Sequence, residues 1–146
     1  MEPLLDKILA LVRAKQFPDI RSSFFGDPIT YPNFDMPAIA VCPLRDDLGA
    51  YTMGARGKDK HRVGVRIYVI RNARDGFNQV TNESPVDRFL VRTAEEIVAT
   101  LREELTLGGT VATFVTAGVQ YAPAVRGREA VRMAQIDAIF EYYQSR

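Results

Sequence analysis

One imidazole, one thiol and a few acidic pairs are the side chains with which this chain could do chemistry, and each has a plainer use. His61 stands without a second histidine or a cysteine nearby in sequence, so no zinc signature forms around it, and it reads as a strand-end histidine. Cys42 lies between Val41 and Pro43 in an apolar stretch, where a small buried thiol is far commoner than a nucleophile. Ser22, Ser23, Ser84 and Ser145 have no Gly-x-Ser-x-Gly elbow to sharpen one of them for acyl transfer, and Ser84 reads as a helix cap. Asp46-Asp47 lacks the alternating acids and terminal glutamate of a calcium loop and reads as a solvated acidic turn. Gly54-Ala-Arg-Gly57 followed by Lys58 misses the spacing and the Gly-Lys-Ser/Thr ending of a phosphate loop. Glu95, Glu96, Glu103 and Glu104 fall in two pairs along one helix and read as its solvent face. No catalytic, cofactor or metal residue is assigned, and no enzymatic activity is expected.

What remains is a segment whose length asks for a use. Two strand patterns, Pro37 to Pro43 and His61 to Arg71, are separated by Leu44 to Lys60, whereas hairpin loops in compact domains need only about 2–5 residues. Arg45, Asp46, Asp47, Arg56, Lys58 and Lys60 mix both signs of charge there, and Tyr51 and Met53 offer apolar anchors between glycines. Such a composition suits an adaptable protein interface or, equally, a mobile surface loop. Arg126 and Arg128 flank Gly127 at a second turn, either as solvating charge or as contacts to carboxylate or phosphate, and in the second case join the candidate interface.

The elements that would carry this arm are legible from periodicity. Leu4, Leu5, Ile8, Leu9, Leu11 and Val12 recur at helical spacing after Pro3, which suits a first turn. Phe17-Pro18 closes that helix, and Pro18, Gly26, Pro28 and Pro32 predict an extended connector with one short edge strand around Pro28 to Tyr31. Phe24, Phe25, Ile29, Tyr31 and Phe34 are expected to pack it onto the core. Val63, Val65, Ile67 and Val69 alternate with Arg62, Gly64, Arg66 and Tyr68, predicting a sheet covered on one face. After a polar turn region from Asn72 to Asn82, Ser84-Pro85-Val86-Asp87 supplies an N-cap, a first-turn proline and an early acid. Val86, Leu90, Ala94, Ile97, Leu101 and Leu105 then form one stripe. Gly108-Gly109 stops the helix, Thr110 to Tyr121 reads as a strand, and a turn containing Pro123 and Gly127 leads into a long final strand. The fold class is therefore α+β, an antiparallel or mixed sheet with helices packed on one face and a long β-hairpin arm. Residues 1–146 read as a single domain, with the arm projecting at 44–60.

Composition restricts the partners. A formal charge of +1 makes no field that recruits nucleic acid or anionic membrane, no apolar run spans a bilayer, and one cysteine excludes an internal disulfide framework. Synthesis in a reducing cytosol is the simplest expectation.

This order of elements resembles the tail terminator, or tail completion, proteins of tailed bacteriophages. The resemblance rests on the short N-terminal helix, Pro37-Ala-Ile-Ala-Val, the arm, Val63-Gly-Val-Arg-Ile-Tyr-Val, the capped helix from Pro85, and Ala130-Val-Arg-Met-Ala-Gln-Ile-Asp-Ala-Ile-Phe. It implies a virion protein, assembled in the host cytoplasm, whose copies form a ring, usually a homohexamer, that caps the tail tube, ends its polymerisation and faces the neck. The partners it implies are the chain itself, the tube protein, a neck or connector protein, and DNA passing through the lumen without specific binding, with no cofactor and no membrane. A head-tail connector protein would share this setting and much of the fold. A small α+β ligand-binding domain or enzyme is the alternative from another class, and would need a pocket. Deletion of Leu44 to Lys60 is expected to abolish assembly while leaving the fold intact.

Overall fold

The computed structural model describes residues 2–30, 34–50, 57–75, 84–104 and 113–145. Helix α1 spans Glu2–Lys15, followed by strands β1 (Ser22–Phe25), β2 (Ala38–Ala50) and β3 (Lys58–Asn72), a single 3₁₀ turn at Ala73–Asp75, helix α2 (Pro85–Glu104), and strands β4 (Thr113–Arg126) and β5 (Glu129–Ser145). The strands form one sheet in the order β1-β2-β3-β5-β4. β1 pairs parallel to β2 and every other neighbour is antiparallel, so the sheet is mixed and the fold is α+β.

Both helices lie on one face of the sheet, as the two periodicities require. Leu4, Leu5, Ile8, Leu9 and Val12 of α1 and Val86, Phe89, Leu90, Ala94, Ile97 and Leu101 of α2 meet Ile39, Val41, Val63, Val65, Ile67, Val69, Ala134, Ile136, Ala138 and Phe140 in one buried cluster. α2 begins where its cap dictates: the Asp87 amide donates to Ser84 Oγ at 3.3 Å, and Pro85 occupies the first turn, where no intrahelical donor is needed. Thr100 is buried in the helix because its hydroxyl donates back to the Glu96 carbonyl at 2.8 Å. Arg132 donates to Asp87 at 3.0 Å and ties the start of the helix to β5.

The opposite face corrects the expectation of a half-covered sheet. Ala38, Ala40, Cys42, Tyr68, Ile70, Val131 and Met133 form a second buried cluster, closed by Phe24, Phe34, Met36 and Ala124. The connector between β1 and β2 crosses this face and brings Phe34 against Phe24 at 4.8 Å between ring centroids. Its edge strand is β1, upstream of the predicted position. Pro28 has no amide to offer a ladder, and Asp27 folds the chain into a turn by accepting from the Ile29 amide at 2.9 Å while Thr30 Oγ1 donates to the Asp27 carbonyl. Phe25 and Ile29 are exposed rather than packed, and Tyr31 lies outside the described residues.

β4 and β5 form the predicted closing hairpin, but β4 runs on to Arg126, beyond the predicted end at Tyr121. Pro123 is accommodated because β4 is an edge strand, where a missing amide donor costs no ladder bond. Gly127 and Arg128 make the two-residue turn, with positive φ at Gly127 alone (63°), the II′ pattern that matches strand twist.

Candidate assembly interface

The predicted arm is a continuation of the sheet. β2 and β3 stay in register from Ala38↔Ile70 to Ala50↔Asp59, interrupted by one bulge between Pro43 and Arg45. β3 is paired on its other side with β5 over its whole length, ending at Lys58↔Ser145. Leu44–Ala50 and Lys58–Lys60 are strand, as the expected β-hairpin arm requires. The buried cluster beneath the helices ends at Val63 on β3 and Phe140 on β5, and beyond it the strand ends carry mostly polar side chains in place of the apolar alternation of the inner strands.

On the face away from the helices this outer sheet carries alternating charges across three strands. Arg45 Nε meets Asp47 Oδ2 at 2.7 Å along β2, while Lys60 Nζ at 3.4 Å and Arg62 at 3.6 Å share Glu141 of β5. Deeper in, Arg66 clamps Asp137 with two bonds, Nε at 2.7 Å and Nη2 at 3.1 Å. That hydrogen bond raises the Arg66 pKa against the opposing effect of burial, so the guanidinium stays charged. On the helical face His61 stacks on Tyr142 at 4.5 Å between centroids, with rings 5° from parallel, and its Nδ1 lies 3.1 Å from Asp46 Oδ1. Burial, and then the nearby Asp46 charge, raise the Tyr142 pKa. Leu44 and Leu48 are the large apolar side chains left exposed on β2, Leu48 at 64%.

The candidate residues thus separate. Arg45, Asp46, Asp47 and Lys60 lie on one outer sheet and are engaged with each other or with β3 and β5; Lys58 stands at its end, opposite Ser145. Tyr51, Met53 and Arg56 lie outside the described residues. Arg126 folds inward: its guanidinium covers the Phe34 ring at 3.9 Å and reaches Glu129 at 3.9 Å, which makes it part of the second cluster's closure. Arg128 is exposed at the turn. Sequence reasoning missed Arg62, Arg66, Asp137 and Glu141. No local signal could have found them, because each partner comes from a strand distant in sequence.

Among the described residues no group of three His, Cys, Asp or Glu side chains could hold a metal ion, and no helix is long and apolar enough to cross a membrane. Cys42 is buried, and burial, assisted by Asp27, pushes its thiol up to about 11, the opposite of an activated nucleophile.

No protein-family model matches the chain, and no curated protein matches it. Among solved structures it is similar to a chain of the virion of a native gene transfer agent particle, at 14% sequence identity and a TM-score of 0.44, covering 95% of this chain and 84% of that one.

Proposed function

We propose that this chain is a structural virion protein whose copies close into a ring on the end of a bacteriophage tail tube, stop addition of tube subunits and present a surface to the neck. The reading starts from the resemblance in element order and is carried by one observation, the stiff outer sheet. Three paired strands extend past the helices, with charges that pair within the chain and Leu44 and Leu48 left for a partner. A sheet held on both sides of β3 keeps its shape when it meets a neighbour, so binding costs little ordering entropy. The role needs positioning and no catalysis. A near-neutral chain also suits a lumen through which DNA passes without being held, since each neutralised phosphate would add affinity. In this reading the protein sits at the tail-neck junction of the virion, and six copies is the expected ring.

Purified protein mixed with tail tubes and imaged by negative-stain electron microscopy tests this. Rings with an axial hole, free or on tube ends, and tubes that no longer elongate are the expected result. Binding to the neck assembly without binding to tubes would reassign the chain as a connector. A monodisperse monomer that neither binds tubes nor limits their length would remove the virion reading.

A further inference from the structure

The two margins of the sheet are guarded differently. An open strand edge is a template for another strand, and proteins blunt such edges with charges, prolines and bulges. β1 covers β2 only over Ala38–Val41, and the Ser23 carbonyl of β1 is itself capped by Arg13 Nη2 at 2.8 Å. Beyond it, the open part of β2 carries Pro43, the bulge and Arg45, Asp46 and Asp47. β4, at the other margin, has no charged residue from Thr113 to Val125. Between its bulge at Phe114/Thr116 and Pro123, the run Thr116–Ala122 has neither charge, proline nor bulge.

The direction of β4's free backbone groups follows from the register. Arg126 and Glu129 close a two-residue turn and so exchange hydrogen bonds, which makes Pro123↔Arg132 a non-bonded pair whose backbone groups face away from β5. Ala117, Val119 and Tyr121 have the same parity as Pro123, and their N–H and C=O groups point outward along an uncharged edge.

We propose that a second copy of the chain covers this edge, its β2 stretch Arg45–Ala50, beyond the proline and the bulge, pairing within the β4 run Thr116–Ala122. The inference rests on the ring reading above and names the contact that would close the ring. β2 and β5 run in one direction, β3 and β4 in the other. Copies kept in one orientation, as a repeated heterologous contact demands, and offset along the strands to clear β1 therefore bring β4 antiparallel to the next copy's β2. Pairing β2 with another β2 would set Asp46 and Asp47 near their own copies, whereas β4 brings no like charge. Beside the edge, on the helical face, Val91, Tyr121 and Val125 are 39%, 40% and 67% exposed, and Leu48, on the same face of β2, lies opposite Ala117 when Arg45 faces Gln120.

Paired cysteines test the contact in a Cys42→Ser background, using positions on the face away from the helices. Thr116→Cys or Gln120→Cys is combined with Arg45→Cys or Asp47→Cys, and the rings are oxidised, on tube ends if they form only there. At least one combination should give a ladder of covalent oligomers ending at the ring size, while each single substitution stays uncrosslinked. Rings in which no combination crosslinks, or covalent dimers from Thr116→Cys alone, would overturn the proposal and leave the ring reading standing. A wild-type chain that forms no ring at all overturns both. Tyr121→Pro removes one outward donor, as Pro123 already does, and should abolish rings with the circular dichroism spectrum unchanged; Tyr121→Phe should keep them. Persistent rings in a folded Tyr121→Pro variant would also refute the contact.

Discussion

Arg66 and Asp137 show how a charged pair can be tolerated on the less covered face of a sheet. Their forked contact satisfies both carboxylate oxygens, with Arg66 stacked 6.0 Å from the Tyr68 ring. Asp137→Ala strands the guanidinium and should cost about 1–3 kcal/mol in urea unfolding, whereas the double variant Arg66→Met/Asp137→Leu should cost less, because no unpaired charge is left. Cys42 makes a pH prediction. Its folded-state pKa is raised by burial above the ordinary thiol value of 9.0 to about 11, so the folded chain holds the proton more tightly than the unfolded one. The associated stability is complete below pH 9 and is lost as pH rises through about 11. Cys42→Ala should flatten that alkaline decline in thermal melts, and at pH 8 the native thiol should resist a disulfide reagent until the chain unfolds. Ser84→Ala removes the α2 cap and should cost about 1 kcal/mol.

At the scale of elements, the arm is tied in more firmly than an interface hairpin need be. Taken as interface alone, Leu44 to Lys60 could be deleted without loss of fold; in the sheet, the same segment includes half of β2 and the start of β3, which pairs with Tyr143–Ser145 of β5. The 44–60 deletion is now expected to lower the melting temperature as well as to block assembly. His61→Ala, which removes one ring of the His61–Tyr142 stack, should cost about 0.5–1.5 kcal/mol by denaturant unfolding. The helices and inner strands were legible because each has a buried face and a solvent face with the right period. The extent of the outer strands and their pairing with β5 were not, since their side chains are mostly polar and only backbone pairing marks where they end.

For the whole molecule, the sheet has a helical face, a face closed by the connector, one guarded margin and one open margin. Leu48 faces solvent, so Leu48→Lys should leave stability within about 0.5 kcal/mol. It should weaken ring formation, as measured by sedimentation velocity against wild type; an unchanged ring population would show that Leu48 is not part of the contact. The charge pairs of the outer sheet are satisfied within one chain, and ring formation is therefore expected to persist at raised salt, where contacts made mainly by charge would weaken.

Period and punctuation in the sequence determined which segments are helix and inner strand, that the helices share one face of an α+β sheet, and that no motif for catalysis or metal binding is spelled out. Those properties are local, because a 3.6- or 2-residue repeat and a capping serine act over a few neighbours. Tertiary structure alone decided that the connector closes the second face, that Arg126 turns inward onto Phe34, that the arm pairs with β5, and that β4 lies at the margin. Strand order and register depend on partners far apart in the chain, and a strand's own residues do not record whether it ends at the edge.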